Sequence, residues 1–297
     1  MFKQIVIVDK TGLENWTLEK LSEYSENPIK IYNDLPTSEE AAKRIEDADG
    51  VFVSWRTPLS AEVLSCAKDL KYVGMCCSLY DKNSANVDIE YADKHGITVK
   101  GVRDYGDEGL AEFIISELIR LLKGIGKQQW RKEAVELTER KVGIIGMGAT
   151  GKMLADRLQA FGAKVCYYNR SRKPQAEKDG FGYMSLNELL ESSEIISLHL
   201  PRNTTIMNKA EFARFGSGKI LINTSLGLTF DKAAFEKWIS DPTNYAIFDG
   251  DGLGQYKREF DKFENIISTE VVSGWTKEAQ GRLSTKVLDN LIEFMKN

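Results

Sequence analysis

Short apolar runs alternate with amphipathic stretches from the first residues onward, a pattern typical of α/β proteins with parallel sheets. The apolar runs predict strands at residues 5–8, 29–32, 51–55, 72–75 and 97–99. The amphipathic stretches predict helices at residues 37–48, 60–68, 87–94 and 108–122, and Thr37 followed by Glu40 predicts a capping box at the start of the first. The polar stretch 127–140 predicts a surface connector leading into a second α/β unit.

The second unit opens on an apolar strand that runs into a glycine-rich loop. The strand covers residues 142–145, a helix is predicted at 152–161, and a further strand at 164–168. The loop between them consists of Gly146, Met147, Gly148, Ala149, Thr150 and Gly151. G-x-G-x-x-G between a strand and a helix predicts a dinucleotide site. Gly146 permits the tight turn, Gly148 lets the backbone approach a pyrophosphate, and Gly151 lets the helix pack on the strand. The alternative is a glycine-rich turn that binds nothing.

The residues that follow the strand 164–168 select the cofactor. An acidic residue there would bind the ribose 2′-hydroxyl of NAD. This chain instead has Asn169, Arg170, Ser171 and Arg172. A neutral asparagine does not repel a 2′-phosphate, and arginine and serine side chains can bind it through charge-assisted hydrogen bonds. We therefore predict NADP(H) as the cofactor, the alternative being a solvated basic turn.

Length and charge exclude several classes of function. The 297 residues favour two domains, and 40 basic against 44 acidic residues leave a net charge of −4. This balance provides no strong positive field for nucleic acid. No apolar run approaches the ~18 residues of a membrane span. We expect neither nucleic acid nor a membrane as partner, and the N-terminal apolar run is a strand rather than an export signal.

The cysteine and histidine content indicates reduced thiols and no metal site. The cysteines are Cys66, Cys76, Cys77 and Cys166, which form no C-x-x-C pair. The two histidines, His95 and His199, have no clustered ligand spacing. We therefore expect a cytoplasmic location and no bound metal. Cys76 and Cys77 are expected as small buried apolar residues rather than nucleophiles.

Further segments extend the pattern over most of the chain. In order they are Thr57-Pro58-Leu59, Asn86-Val87-Asp88, His95-Gly96-Ile97, Gly109-Leu110-Ala111-Glu112-Phe113, the glycine loop, Leu198-His199-Leu200-Pro201, Ile222-Asn223-Thr224-Ser225, Asp249 and Gly274-Trp275-Thr276-Lys277. Their order resembles that of the D-isomer-specific 2-hydroxyacid dehydrogenases. The resemblance implies two flavodoxin/Rossmann-like α/β domains with parallel sheets. A nucleotide-binding domain (103–279) would be inserted into a substrate domain (1–102 and 280–297).

The same resemblance implies where the ligands bind. The active site would lie in the cleft between the domains, a small molecule would be the substrate, and the chain would form a homodimer. Beyond the glycine loop and the turn after it, the matching cofactor-binding residues are His199, Leu200, Pro201, Thr224, Ser225, Asp249 and Gly274. His199 is expected beside the cofactor and not as an acid.

The chain departs from the family at its catalytic residues. The family's arginine, glutamate and histidine match Leu226, Gly254 and Val271. A positioned acid contributes about 10²–10⁴ in rate, and an arginine clamps a substrate carboxylate through two hydrogen bonds. Ordinary 2-hydroxyacid dehydrogenase activity is therefore expected to be weak or absent.

Other residues are candidates for the lost roles. The family's glycine-rich substrate turn is replaced by residues 75–80 and an apparent insertion of about four residues. Tyr80 and Tyr105 are candidate proton donors, and Arg56 and Arg103 are candidates for binding an anionic group. Each has an alternative role as an ordinary surface or loop residue.

Three functions are compatible with these residues. The first is an NADP(H)-dependent oxidoreductase with an altered active site, which reduces a small carbonyl, imine or alkene other than an ordinary 2-keto acid. The second is a catalytically silent NADP(H)-binding sensor or interaction protein. The third is a working 2-keto-acid reductase whose catalytic residues have migrated.

Overall fold

The structure is a computed structural model that describes residues 1–296, and it divides into two compact units. The terminal unit consists of Met1–Tyr105 and the chain from Thr276 onward, and the central unit is Gly106–Trp275. The central unit is thus an insertion in the terminal unit. The sequence predicted domain boundaries after residues 102 and 279.

Strands and helices alternate through both units. In chain order they are β1 (Ile5–Ile7), α1 (Asn15–Ser22), β2 (Lys30–Ile31), α2 (Ser38–Ile45), β3 (Gly50–Val53), α3 (Ala61–Leu64), β4 (Tyr72–Ser78), α4 (Ile89–Lys94), β5 (Thr98–Val102), α5 (Asp107–Lys123), β6 (Lys141–Ile145), α6 (Ala149–Ala160), β7 (Lys164–Tyr168), α7 (Pro174–Lys178), β8 (Gly182–Tyr183), α8 (Leu186–Ser192), β9 (Ile195–Leu198), α9 (Lys209–Phe215), β10 (Ile220–Asn223), α10 (Lys232–Ile239), β11 (Tyr245–Phe248), a 3₁₀ turn (Gly254–Tyr256), α11 (Lys257–Phe260), β12 (Ile266–Ser268) and α12 (Lys277–Lys296).

The terminal unit is built on a parallel sheet in the order β2-β1-β3-β4-β5. Strands β1 and β3, inside the sheet, are short and lack polar side chains, because helices cover both faces of a parallel sheet. The strand order reverses between β1 and β3, and the loops after these two strands therefore meet at the carboxyl edge. The predicted capping box of Thr37 and Glu40 is confirmed at the start of α2.

The central unit has a parallel sheet in the order β12-β11-β10-β9-β6-β7-β8. Successive residues of β6 face opposite sides, so that Ile144 packs against α5 and α6 while Ile145 packs in a second core with α8, α9 and α10. The order reverses between β6 and β9, which places the glycine loop at the crevice where doubly wound sheets bind ligands. The predicted fold class, two Rossmann-like α/β domains with parallel sheets, is confirmed.

The structure corrects several local predictions. The stretch 127–140 is not a simple surface connector, because Trp130 and Leu137 are buried in the central core and the Trp130 indole donates to the Gly218 carbonyl at 3.2 Å. Helix α3 is four residues long rather than nine. Helix α1 was not predicted, and the residue that precedes it, Glu14, provides no side-chain cap.

Within residues 1–296, no helix is both long and apolar enough to cross a membrane. The same residues contain no cluster of three or more histidine, cysteine, aspartate or glutamate side chains arranged for a metal. Among the described residues the four cysteines form no disulfide, and the predicted burial of Cys76 and Cys77 is confirmed.

Candidate active site

The glycine loop is packed too tightly for side chains at two of its three glycines. Gly146 has φ +99°, and a Cβ on it would lie 2.1 Å from the His199 carbonyl oxygen. A Cβ on Gly151 would lie 2.1 Å from the Gly146 carbonyl oxygen. The first contact joins the ends of β6 and β9, and the second seats α6 on β6. These are the close approaches expected of the first and third glycines of a dinucleotide loop.

Gly148 differs from both, because a Cβ placed on it meets no atom within 4 Å. It precedes the first residue of α6 in an extended conformation that any residue can adopt. The first amides of a helix have no intrahelical acceptor, and the helix dipole favours negative charge there. Exposed backbone at Gly148 and Ala149 is therefore available to a phosphate group. Thr150, in the first turn, donates its hydroxyl to the carboxylate of Asp107.

The turn after β7 is fastened to the glycine loop by Asn169. Its Oδ1 accepts a hydrogen bond from the Met147 amide at 3.3 Å, and its Nδ2 donates to the Ser171 carbonyl at 2.9 Å. Arg170 and Ser171 are exposed. The two predicted phosphate-binding arginines differ in their surroundings, because Arg172 forms an ion pair with Glu177.

His199 ends β9 beside the glycine loop and is held as a neutral imidazole. Its amide donates to the Ile145 carbonyl at 2.8 Å, and its Nε2 lies 2.9 Å from the Ser197 hydroxyl. Burial lowers the pKa of His199 to about 4. Leu200 continues the loop and donates its amide to the Ser225 hydroxyl at 3.2 Å, while Pro201 is half-buried. His199 is thus uncharged near neutral pH, and its place beside a cofactor stays a prediction.

Sequence reasoning missed the part played by Asn223. This fully buried residue ends β10, and its Nδ2 donates to the carbonyls of Gly227 at 3.0 Å and Gly252 at 2.9 Å. Its Oδ1 accepts from the Thr229 hydroxyl at 3.1 Å. One side chain therefore fixes the loops after β10 and β11. An asparagine closing an apolar strand is the only sequence signal for this role.

Two buried polar atoms in these loops have no hydrogen-bond partner among the described residues. They are Thr224 Oγ1 after β10 and Asp249 Oδ1 after β11. The other oxygen of Asp249 accepts from the Ser273 amide at 3.0 Å and the Ser273 hydroxyl at 2.7 Å. Burial raises the pKa of Asp249. Buried polar atoms are usually hydrogen-bonded, so these two indicate a place for a polar ligand group.

Gly274, also predicted to bind cofactor, packs against the chain itself. A Cβ on Gly274 would lie 3.0 Å from the Gly106 carbonyl oxygen. The glycine is thus explained by the close approach of two backbone segments within the central unit.

The three positions matched to the family's catalytic residues lie on connected loops. The Gly227 amide donates to the Asp251 carbonyl at 3.0 Å, and the Gly250 amide donates to the Val271 carbonyl at 2.8 Å. These bonds bring together the loops that carry Leu226, Gly254 and Val271. Leu226 is 36% exposed and Val271 is 65% exposed. Gly254 has φ +54°.

In the terminal unit, the candidate arginines lie in loops at the carboxyl edge of the sheet. Arg103 donates from Nε to the Leu79 carbonyl and from Nη2 to the Tyr80 carbonyl, both at 2.9 Å, and its guanidinium lies 5.2 Å from the Tyr80 ring centre. Arg56 is exposed, with its guanidinium 4.8 Å from the Trp55 ring centre. Arg103 is therefore largely engaged by the loop itself, whereas Arg56 is held by stacking.

Tyr105 is poorly suited to donate a proton. It is half-buried and hydrogen-bonded to Ser78, and burial raises its pKa well above the ordinary value. A higher pKa makes the phenol a weaker acid near neutral pH. Tyr80, by contrast, is 46% exposed.

A buried network that the sequence did not predict supports the Arg56 loop. Asp9, after β1, accepts hydrogen bonds from the Ser54 amide at 2.9 Å and from the hydroxyls of Ser54 and Thr57 at 2.5 Å. Asn86 donates to the carbonyls of Ser54 at 2.8 Å and Thr57 at 2.6 Å. The backbone on both sides of Arg56 is therefore fixed at the point where the strand order reverses.

A doubly wound sheet with this glycine loop is typical of Rossmann-type dinucleotide-binding proteins. Residues 114–249 match the family profile described as D-isomer specific 2-hydroxyacid dehydrogenase, NAD binding domain. A hydroxypyruvate reductase of Blautia hydrogenotrophica is 29% identical, over 88% of this chain and 87% of that protein. The crystal structure of the PH0520 protein from Pyrococcus horikoshii is 31% identical, with TM-score 0.77 over 99% of this chain and 92% of that one.

An acyclic imino acid reductase in complex with NADPH and D-Arg shares the fold, with TM-score 0.84 and 24% identity over 99% of this chain and 97% of that one. From the profile, these similarities and the topology, the chain belongs to the D-isomer-specific 2-hydroxyacid dehydrogenase family.

Proposed function

We propose that the protein is an NADP(H)-dependent oxidoreductase with an altered active site, which reduces a small carbonyl, imine or alkene other than an ordinary 2-keto acid. The observation that carries this proposal is the set of connected loops bearing Leu226, Gly254 and Val271. Two of these residues are exposed and apolar, and the third has no side chain. None of them can clamp a carboxylate or transfer a proton.

Several features of the central unit support the proposed NADP(H) site. Gly148 leaves the backbone open at the start of α6, and Arg170 and Ser171 are exposed beside it. Thr224 Oγ1 and Asp249 Oδ1 offer a hydroxyl and a carboxylate oxygen, both buried and without partners among the described residues. Such a donor and acceptor suit an amide, the polar group of a nicotinamide ring. The cofactor supplies the hydride when bound, and the chain has to orient it and exclude water.

The substrate class follows from what Leu226 and Val271 replace. A carboxylate placed beside them in a water-excluded site would lose hydration without gaining a cationic partner, which is costly. A hydride acceptor that presents an apolar group to Leu226 and Val271 does not incur this desolvation cost. Arg56, fixed by the Asp9 network, is the candidate for binding any anionic group from the terminal unit.

Tyr80 is the preferred proton donor of the two tyrosines. The raised pKa of Tyr105 keeps its proton bound, whereas Tyr80 is largely exposed on a loop. Replacing Tyr80 by phenylalanine is expected to lower turnover by about 10²-fold or more. Tyr105→Phe is the matched control, and we expect it to change turnover by less than about threefold.

Product formation is the test of the proposed function. Purified protein with NADPH is incubated with ketones, with activated alkenes, and with 2-keto acids mixed with an amine so that imines form, and products are identified by mass spectrometry. The imino acid reductase of the same fold makes the imine mixtures the first to examine. A reduced ketone, alkene or imine supports the proposal, whereas a 2-hydroxy acid formed from the 2-keto acid itself contradicts it and favours a working 2-keto-acid reductase. Nucleotide-dependent association or compaction with no product from any acceptor contradicts it and favours the silent sensor.

The relatives favour one alternative, a working 2-keto-acid reductase with migrated catalytic residues. Hydroxypyruvate and glyoxylate reductases are each 29% identical to this chain. In that alternative Arg56 would bind the carboxylate, and Arg56→Ala would raise KM for glyoxylate far more than it changes kcat. The homodimer and the cytoplasmic location stay predictions from the resemblance and composition. Sedimentation analysis tests the first.

A further inference from the structure

The side chain of Glu177 holds Arg172 at the edge of the predicted 2′-phosphate site. Arg172 Nε donates to Glu177 Oε1 at 2.9 Å, and Arg172 Nη2 contacts the second carboxylate oxygen. Glu177 therefore engages one complete edge of the guanidinium. The arginine side chain is 64% exposed and the glutamate side chain 27% exposed, so solvent reaches the pair.

The pair is anchored on both sides. The Tyr167 ring is fully buried in β7, and its hydroxyl donates to Glu177 Oε1 at 3.1 Å while accepting from the Lys173 amide at 2.7 Å. The Arg172 guanidinium also lies 5.2 Å from the ring centre of Tyr183, on the neighbouring strand β8. The Glu177 side chain is thus held in one position beside Arg172, unlike a mobile side chain on the surface.

A carboxylate and a phosphate use the same donors of an arginine. Both prefer two parallel N–H···O bonds from one edge of the guanidinium. A 2′-phosphate that takes the occupied edge has to displace Glu177. A phosphate that takes the outer edge is brought close to the carboxylate, and like charges repel. Arg170 is in a different situation, since residues 1–296 show no ion pair to it.

We propose that Glu177 is a specificity-determining residue, which competes with the 2′-phosphate of NADP(H) for Arg172 and so limits the preference of the protein for NADPH over NADH. The inference rests on the proposed NADP(H) function. Hydrogen bonding from Arg172 keeps the pKa of Glu177 below its ordinary value, so the competing charge is present near neutral pH.

The variant Glu177→Gln tests the competition, because glutamine keeps the size and one acceptor oxygen while removing the charge. Dissociation constants are measured for NADPH, for NADH, and for adenosine 2′,5′-bisphosphate, which carries the 2′-phosphate without a nicotinamide ring. Glu191→Gln is the matched control. Glu191 pairs with Arg214 at 2.7 Å and precedes β9, at the opposite edge of the sheet from the glycine loop. Thermal unfolding verifies that each variant is folded.

We expect Glu177→Gln to tighten binding of NADPH and of the bisphosphate by about 3–10-fold, to change NADH binding by less than about twofold, and to have no effect when Arg172→Gln is also present. Glu191→Gln is expected to change none of the three constants. Weaker NADPH binding in Glu177→Gln, equal changes for NADPH and NADH, or the same gain in the Arg172→Gln background would each overturn the competition.

The binding constants of the wild-type protein test the proposed cofactor separately from the role of Glu177. Wild-type protein that binds NADH more tightly than NADPH, and does not bind the bisphosphate, overturns NADP(H) as the cofactor. Wild-type protein that prefers NADPH while Glu177→Gln has no effect overturns only the role of Glu177. If Glu177→Gln does not fold, Glu177→Ala takes its place. It also removes the carboxylate, and the same selective gain for NADPH is expected.

Discussion

The side-chain oxygen of Asn169 accepts a hydrogen bond from the backbone amide of Met147 at 3.3 Å. This bond joins the turn that we predict to select the cofactor to the loop that we predict to bind its pyrophosphate. The same side chain donates to the Ser171 carbonyl at 2.9 Å, so one amide group fixes two predicted phosphate subsites relative to each other. An aspartate could keep the first bond but could not make the second.

Asn169→Asp is therefore expected to reverse the cofactor preference. The new carboxylate can still accept from Met147, but it loses the bond to Ser171 and repels a 2′-phosphate. We expect NADPH affinity to fall by about 10-fold or more while NADH affinity is kept or improved. Fluorescence titration with both cofactors measures the change. Equal losses for the two would show that Asn169 serves only the geometry of the turn.

The three glycines of the loop are expected to respond differently to alanine. Gly146→Ala and Gly151→Ala place a Cβ about 2.1 Å from a carbonyl oxygen and should lower stability by about 1–3 kcal/mol. Gly148→Ala meets no atom within 4 Å, so its unfolding temperature should stay within about 2 °C of wild type. The Gly148→Ala variant should nevertheless lose cofactor binding, because the new Cβ would occupy the space predicted for the pyrophosphate. Thermal unfolding with and without NADPH separates the effects. Normal NADPH binding by Gly148→Ala would place the pyrophosphate elsewhere.

Two buried aspartates are expected to affect stability with opposite signs. Burial raises the pKa of Asp249 above 3.8, so the folded state loses stability as pH rises through the range between 3.8 and that raised value. Asp249→Asn should therefore raise the unfolding temperature more near pH 7 than in acid, and it should also weaken NADPH binding.

Asp49 is the matched control. Burial alone would raise its pKa, but hydrogen bonds from the amides of Gln4 and Lys3 and the nearby Lys71 ammonium lower it on balance. Its contribution is present above pH 3.8 and is lost as pH falls through the lowered pKa. Asp49→Asn should thus destabilise the protein, most strongly near pH 7. Unfolding temperatures measured across a pH series decide both cases, and parallel pH profiles for the two variants would contradict the assignment.

Two buried tyrosines form a second contrasting pair. The Tyr72 hydroxyl is buried among aromatic rings, with Phe52 at 5.8 Å and Phe294 at 4.8 Å between ring centres, and has no hydrogen-bond partner in the described chain. Tyr72→Phe removes an unsatisfied group and should stabilise the protein by about 1 kcal/mol. Tyr167→Phe removes the partner of Glu177 and Lys173 and should destabilise it by about 1–2 kcal/mol. Denaturant unfolding of both variants provides the comparison, and destabilisation by Tyr72→Phe would indicate a partner such as a buried water.

Local signals in the sequence were sufficient for most of the fold. The glycine loop, the strand 164–168 and the capping box of Thr37 each depend on residues within a few positions of one another, and all three are present as predicted. Helix α1 escaped prediction because it has no side-chain cap and buries only Thr17 and Leu21.

The parts of the candidate site that were missed depend on distant residues. Asp9 and Ser54 are 45 positions apart, and Asn223 reaches Gly252 across 29 positions, so no local pattern shows either contact. Arg172 and Glu177 are only five positions apart, but their contact depends on the short helix α7, which contains Glu177. The residues that follow the strand 164–168 identified the basic turn, but only the structure distinguishes its two arginines.

The most direct test of the altered active site is the oxidation of NADPH, with NADH as control, in the presence of pyruvate, glyoxylate, hydroxypyruvate or phenylpyruvate. NADPH binding is first demonstrated by titration of the same preparation. With Leu226, Gly254 and Val271 in place of an arginine, a glutamate and a histidine, we predict bound NADPH and no rapid turnover of any of the four acids. Rapid turnover of even one would contradict the account and show that another cation and another acid, with Arg56 and Tyr80 first among them, perform the family's reaction in this chain.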